Sequence, residues 1–202
     1  MKKSNFYLLY SGDKSLLSNE VNKLKKNLNI TSDSIYYDIE NVSDIIVEAS
    51  TIGMFDPYKF IVIDSDSYFL QKSEFDISLL EDYFNNYNTN SYLIFILNSG
   101  SVDSKKKLYK LINDNGTINK LSVTEEYLDT FVRNYIKDNG FTMSNMDIKF
   151  FLGRCNKDID NIKNELDKLM LYKLEEKVID KDDIILLVDE DIDDTVFELV
   201  SS

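Results

Sequence analysis

The feature that most constrains this chain is an alternation, from Phe6 to Leu121, of continuous apolar runs with segments of helical period. Tyr92-Leu93-Ile94-Phe95-Ile96-Leu97 is the strongest run. Phe60-Ile61-Val62-Ile63 and Phe6-Tyr7-Leu8-Leu9-Tyr10 are its companions. An unbroken apolar strand has no wet face, so these strands are expected to be covered on both sides. Between them, Leu16, Leu17, Val21, Leu24 and Leu28 recur on one face of a helix. Ile35 to Ile39 reads as a second strand, and Val42 to Thr51 as a helix with Ile45, Ile46 and Ala49 inward. Leu79, Leu80, Tyr83, Phe84 and Tyr87 mark a helix before the strong run, and Lys105 to Asn113 a helix after it. Gly116 to Leu121 is a weaker fifth strand. Strands joined in this way by helices are βαβ units around a parallel sheet.

The pattern then changes. Ser122-Val123-Thr124-Glu125 fits a capping box. It opens a helix carrying Tyr127, Leu128, Phe131, Val132, Tyr135 and Ile136, which Asn139-Gly140 stops. Everything beyond reads as helical. Ser144 caps one helix through Phe150, Phe151 and Leu152. Asn156 or Asp158 starts another with Ile159, Ile162, Leu166, Leu169 and Met170, and Asp180 caps Ile184 to Val188. The expected organisation is an α/β domain over residues 1–139 and a small helical domain over 140–202. Thr195 to Val200 begins a further amphipathic element just before Ser202, so a longer protein is expected.

Composition narrows the chemistry. The 202 residues hold no His and one Cys. This excludes Ser-His and Cys-His nucleophile pairs, His-based zinc sites, thiolate clusters and an intrachain disulfide. The net charge of −13 argues against a protein that binds nucleic acid alone by neutralising phosphates, and favours protein partners. No apolar run approaches the ~20 residues of a membrane span, and Phe6 to Tyr10 is too short for a signal peptide. A cytoplasmic protein is expected.

Several motifs invite a functional reading. A nucleotide loop needs Gly-x-x-x-x-Gly-Lys-Ser/Thr, so that backbone N–H groups wrap the phosphates and Lys meets their charge. Lys14-Ser15 stand in the right order, but Leu8 and Asp13 hold the two glycine positions and Gly12 is one residue out of register. Asp13 instead suits a helix cap. The third strand ends Ile63-Asp64-Ser65-Asp66, with Asp64 where a magnesium-binding acid would stand and Ser65 where a water-orienting Glu would. Asn98, after the fourth strand, occupies the place of a γ-phosphate sensor and is equally a turn former. Gly153-Arg154-Cys155 offers a cation and a thiol, but Cys155 has no His to activate it and reads as a buried, inert side chain. Lys105-Lys106-Lys107 reads as a solvated helix face.

The segment Ala49-Ser50-Thr51-Ile52-Gly53-Met54-Phe55-Asp56-Pro57 is different, because it sets large apolar side chains in a loop. Loops run over the surface. Either one of these side chains tucks back into the core, or Met54 and Phe55 form an exposed binding wedge.

Four places, in order, resemble the delta subunit of bacterial DNA polymerase III, the clamp-loader subunit that opens the sliding clamp. They are Tyr7-Leu8-Leu9-Tyr10-Ser11-Gly12-Asp13, Ala49 to Ile63, Asp103 to Gly116, and Asn156 to Leu169 with Val196 to Val200. The resemblance implies an AAA+-like α/β domain, a parallel five-stranded sheet flanked by helices, followed by a small all-α lid domain. It implies a C-terminal collar domain that this sequence lacks. It implies a non-catalytic subunit with no ATP site or cofactor of its own. The family's clamp-binding wedge carries over to Met54 and Phe55, with Ile52 beside them; Met54 stands where the family often has Leu. The arginine-finger motif of ATPase partners, Ser-Arg-Cys, would fall where this chain reads Asp114-Asn115-Gly116-Thr117, so no finger is expected. The implied partners are the sliding clamp (the beta subunit), the other clamp-loader subunits through the collar, and primer-template DNA within the complex only. The rival expectation is an active AAA+ ATPase or nucleotide switch using Lys14, Ser15, Asp64 and Asn98.

Overall fold

A computed structural model describes residues 4–52, 57–70 and 76–189. The chain divides into two compact units between Ser122 and Val123.

In the first unit five parallel strands form one sheet in the order β2-β3-β4-β1-β5. They are β1 (Phe6–Ser11), β2 (Ser34–Asp38), β3 (Lys59–Asp64), β4 (Ser91–Asn98) and β5 (Thr117–Lys120). Alternate side chains of the apolar runs feed two cores, as a strand's period of two requires. Phe6, Leu8, Ile61, Ile63, Leu93 and Phe95 go to one face. Tyr7, Leu9, Phe60, Val62 and Ile94 go to the other. On the second face lies α1 (Lys14–Asn27), through Leu17, Val21 and Leu24. On the first lie α2 (Val42–Ser50), α3 (Asp66–Leu70), α4 (Ser78–Asn85) and α5 (Lys107–Asn115). The helix α3 was not expected from the sequence. Its five residues are too few to show a period, and it forms by burying Tyr68 and Phe69. Phe6 anchors an aromatic cluster on this face, stacked on Phe84 with ring centroids 3.8 Å apart and edge-on to Tyr83 and Tyr87.

The second unit contains α6 (Glu125–Asp138), α7 (Asn145–Arg154), α8 (Ile159–Tyr172) and α9 (Lys181–Leu187). The expected domain boundary near Asn139 differs from the division at Ser122. The buried stripe of α6, Leu128, Val132 and Ile136, packs with α7 and α8, so this helix belongs to the helical unit. Its cap also differs from the expected Ser122: the Thr124 hydroxyl accepts from the Tyr127 N–H at 3.1 Å. Gly140, at φ 78°, then ends α6 in a Schellman turn, with Phe141 N–H bonded to Ile136 O at 2.8 Å and Gly140 N–H to Lys137 O at 3.0 Å. Ser144, Asp158 and Asp180 cap α7, α8 and α9 as expected. The unit is not wholly helical: β6 (Thr142–Met143) and β7 (Val178–Ile179) pair in parallel. Two-residue strands carry no readable alternation, and this pair exists because two helix ends bring the segments together. The expected element at Thr195 to Val200 lies outside the described residues.

Candidate functional site

The residues singled out in the first unit gather at two opposite edges of the sheet. At the carboxyl edge, the connection from β1 passes through α1 on one face, and that from β4 through α5 on the other. The crevice between strands whose connections diverge in this way is where open parallel sheets take ligands. Here Ser11 lies in register with Asn98, and a Cβ built on Gly12 would stand 3.7 Å from the Gly100 nitrogen. The two loops therefore close on each other across the crevice.

The turn into α1 is held by its own side chains. The Ser11 hydroxyl accepts from the Asp13 N–H at 3.1 Å, and the Asp13 carboxylate accepts from the Leu16 N–H at 2.9 Å. A helix N-terminus binds phosphate through unpaired N–H groups and its positive dipole. In this chain a carboxylate has taken that place. Lys14 is exposed and Ser15 half-buried in the first turn. Across the crevice, Asp64 accepts from the Asp66 N–H at 2.9 Å, and Asp66 accepts from the Asn98 N–H at 2.7 Å. Ser65 is fully buried, its hydroxyl donating to the Ile63 carbonyl at 3.2 Å. The structure thus brings Lys14, Ser15, Asp64 and Asn98 to one edge, but Asp64 serves a turn, Asp66 ties the start of α3 to the end of β4, and Asp13 caps α1. Among the described residues, no group of three or more His, Cys, Asp and Glu side chains is placed to hold a metal ion.

At the amino edge stand the two feet of the loop between α2 and β3. Met54 and Phe55, on which the clamp-contact expectation rests, lie outside the described residues, and Ile52 is exposed. The feet are tied by side chains that sequence reasoning missed. Lys59, only 8% exposed, donates to the Glu48 carbonyl at 2.8 Å, the Glu48 carboxylate at 2.5 Å and the Thr51 hydroxyl at 2.5 Å. An ammonium has three donors, and all three are used on the last turn and cap of α2, where the helix dipole also favours a cation. The Ala49 carbonyl accepts from the Ser91 hydroxyl at 2.7 Å, the Tyr83 hydroxyl at 3.2 Å and the Asn88 amide at 3.3 Å. Burial pushes the Tyr83 hydroxyl above its ordinary pKa, which keeps it a donor. On the other foot, Ser32 donates to the Tyr58 carbonyl at 2.9 Å. The signal that could have found this is a lysine opening a continuous apolar strand directly after a loop: its charge must be paired if the strand is buried.

The remaining motifs are structural. Lys106 donates to the Tyr68 carbonyl at 2.7 Å and lies over that ring, and Lys107 pairs with Glu81 at 2.7 Å. The lysine run thus ties the start of α5 down; it is not merely a solvated face. Arg154 donates to the Val188 carbonyl at 2.8 Å, within the second unit. Cys155 is half-buried, not buried as expected, because it comes directly after the last turn of α7 as its cap residue. Among the described residues no helix is long and apolar enough to cross a membrane.

Comparison with known proteins adds a family to this geometry. Residues 4–122 match the family model described as DNA polymerase III, delta subunit. A search of curated proteins finds no match. Among solved structures, the chain is similar to the Bacillus subtilis DNA clamp loader delta protein (YqeN), with a TM-score of 0.66 at 19% identity. That match covers 98% of this chain and 62% of the other, so the chain spans less than two thirds of the protein it resembles. It is also similar to the Thermotoga maritima RuvB Holliday junction branch migration motor, with a TM-score of 0.56 at 12% identity, covering 90% of this chain and 60% of that one. These likenesses show the fold: an AAA+-like α/β unit with a five-stranded parallel sheet, followed by a helical part. The match over residues 4–122, more than half of the sequence, establishes that the chain belongs to the DNA polymerase III delta-subunit family.

Proposed function

We propose that this protein is a non-catalytic clamp-loader subunit that binds and opens the sliding clamp during replication. Membership of the delta-subunit family is the observation that carries the reading. Likeness to the Bacillus subtilis clamp loader delta protein supports it. In the proposed mechanism, other loader subunits bind ATP and rearrange, which frees the 52–58 loop. Met54 and Phe55, with Ile52 beside them, then enter an apolar pocket on the clamp and stabilise an opened interface. Ile52 is 73% exposed and Tyr58 43%, so apolar surface is available at both feet of the loop. The Asp13 cap on α1 and the meeting of Gly12 with Gly100 support a subunit without nucleotide chemistry of its own. The further partners proposed are the other loader subunits, through a collar domain beyond this sequence, and primer-template DNA within the assembled complex. The setting is the cytoplasm.

The experiment is titration of the cognate sliding clamp, by calorimetry, into the wild-type chain and the Phe55→Ala variant. Truncating a binding hot spot costs about 2 kcal/mol or more, so Phe55→Ala should weaken binding at least about tenfold. Its urea melt should stay within about 0.5 kcal/mol of wild type. If Phe55→Ala unfolds the first unit, the side chain is core. If affinity is unchanged, the clamp contact lies elsewhere and the reading fails.

A further inference from the structure

The two edges of the five-stranded sheet are β2 and β5. β2 runs in unbroken register with β3 from Ser34 to Asp38, and among the described residues no strand pairs with its other side. The N–H and C=O groups on that side are an open template for a further strand, which proteins ordinarily close with a lysine, a proline or a bulge. β2 reads Ser34-Ile35-Tyr36-Tyr37-Asp38 and has none of these. Helix cover also stops short of it. Val62, in the core that α1 covers, is 1% exposed, whereas Tyr36, its register partner one strand further out, is 67% exposed. Tyr37 packs on the opposite face, as the strand's alternation requires. Burial first, then the Glu48 and Asp44 carboxylates, push its hydroxyl above its ordinary pKa, so α2 turns its acids toward this strand. Val47, exposed, lies on the same stripe of α2 as Asp44.

Charge selects what such an edge admits. From Asn27 to Ile52 the sequence holds five acids, Asp33, Asp38, Glu40, Asp44 and Glu48, and no Lys or Arg. All but Glu48 are exposed. Lys25 and Lys26 come before this stretch, in the last turn of α1, and Lys59 after it is taken up by Glu48 and Thr51. A second copy of the edge would bring the same acids against these, and like charges facing each other across strands are destabilising. A strand bearing Lys or Arg meets opposite charge instead, and an exposed tyrosine ring adds attraction for a cation. We infer that the outer edge of β2 is an interaction surface that takes an extended, Lys- or Arg-bearing segment of a partner protein as a sixth strand, with Tyr36 on one face and Val47 on the other as its apolar contacts. Backbone bonds along the edge hold such a segment, and the side chains on its two faces select it. The inference goes beyond the proposed clamp contact and does not depend on it.

The test uses the full chain, isotope-labelled, and the probe peptide acetyl-Val-Lys-Val-Lys-Val-Lys-amide, with affinities and affected amides read by NMR titration. The probe should shift the amides from Ser34 to Asp38, and shifts confined to other elements overturn the inference. Raising salt from about 50 to about 500 mM should weaken the probe at least about threefold, because the attraction is between exposed charges. The same peptide with Glu for every Lys should not bind, and equal affinity would overturn the selection by charge. The Lys peptide N-methylated at every amide keeps its charge and cannot donate to the edge. It should bind at least about tenfold more weakly, and equal affinity would show attraction by charge alone and overturn strand addition. Tyr36→Lys removes the central aromatic contact and sets a cation on the edge, so the probe should lose at least about tenfold, and wild-type affinity overturns the inference. Should Tyr36→Lys not fold, Glu40→Lys serves, since Glu40 is exposed. A loss of about threefold then supports the inference, and an unchanged affinity overturns it. Light scattering checks the remaining occupant: a dimer that Tyr36→Lys or Glu40→Lys disperses would show a second copy on this edge and overturn the basic segment.

Discussion

Substitution of Asp13 separates two obstacles to nucleotide binding, charge and shape. The carboxylate sits on the N-terminus of α1, 2.9 Å from the Leu16 nitrogen, where a bound phosphate would lie. Two unit charges about 4 Å apart near a protein surface repel by about 4 kcal/mol. That is roughly a thousandfold in affinity. Asp13→Asn removes this repulsion and keeps an acceptor for the Leu16 N–H, so its stability should fall by only a few tenths of a kcal/mol. Asp13→Ala also removes the cap and should cost about 1 kcal/mol, read as a lower urea midpoint by circular dichroism. If charge were the only obstacle, Asp13→Asn would bind ATP up to a thousandfold better than wild type. Shape argues otherwise. The Gly12 approach to Gly100 and the bond from Asp13 N–H to the Ser11 hydroxyl survive both substitutions, and the loop still lacks the glycines that let backbone N–H groups wrap phosphate. Calorimetry with millimolar Mg-ATP should therefore show no binding for wild type or either variant. Binding that Lys14→Ala abolishes, in wild type or in Asp13→Asn, would refute the argument from shape and revive an ATPase role.

Two further outcomes test the frame around the sites. A Cβ on Gly116 would stand 2.5 Å from the Phe6 carbonyl oxygen and 2.9 Å from the Phe6 Cβ, so β5 and β1 would have to part. Gly116→Ala should lower stability by about 1–3 kcal/mol of overpacking, offset by at most about 1 kcal/mol of lost chain entropy, and an unchanged urea midpoint would contradict it. In the second unit, burial first and the 2.7 Å bond to the Asp167 carboxylate next raise Tyr135 from 10.0 to about 12. A folded-state pKa above the unfolded one gives stability that is complete below the unfolded value and is lost as pH rises through the folded one. Wild type should thus lose stability faster than Tyr135→Phe between about pH 10 and 12 in urea melts, and parallel slopes would show that the bond carries no linkage.

The local layer of this protein was legible without coordinates. The apolar runs at Phe6, Phe60 and Tyr92 became parallel strands buried on both faces, because a strand's surroundings are written in which of its alternate residues are apolar. Ser144, Asp158 and Asp180 capped their helices, and Asn139-Gly140 ended α6, since caps and turns act over three or four residues. Asp13, out of place for a phosphate loop, proved to be the cap of α1. Family resemblance was legible too, in motifs spread along the chain. What joins distant residues was not. The bond from Asp66 to the Asn98 N–H crosses 32 positions, and those from Tyr83, Asn88 and Ser91 to the Ala49 carbonyl cross 34 to 42. The β6–β7 pair and the alliance of α6 with α7 and α8 likewise depend on where helices end in space. Lys59 shows the difference most plainly. By itself it is a charge at the head of an apolar strand, and only the return of α2 beside β3 gives that charge its partners. Periodicity and capping are interactions of near neighbours, so sequence alone determines them. A shared hydrogen-bond hub needs chain ends brought together against the entropy of closing the loop between them, and only the packed sheet decides which residues meet.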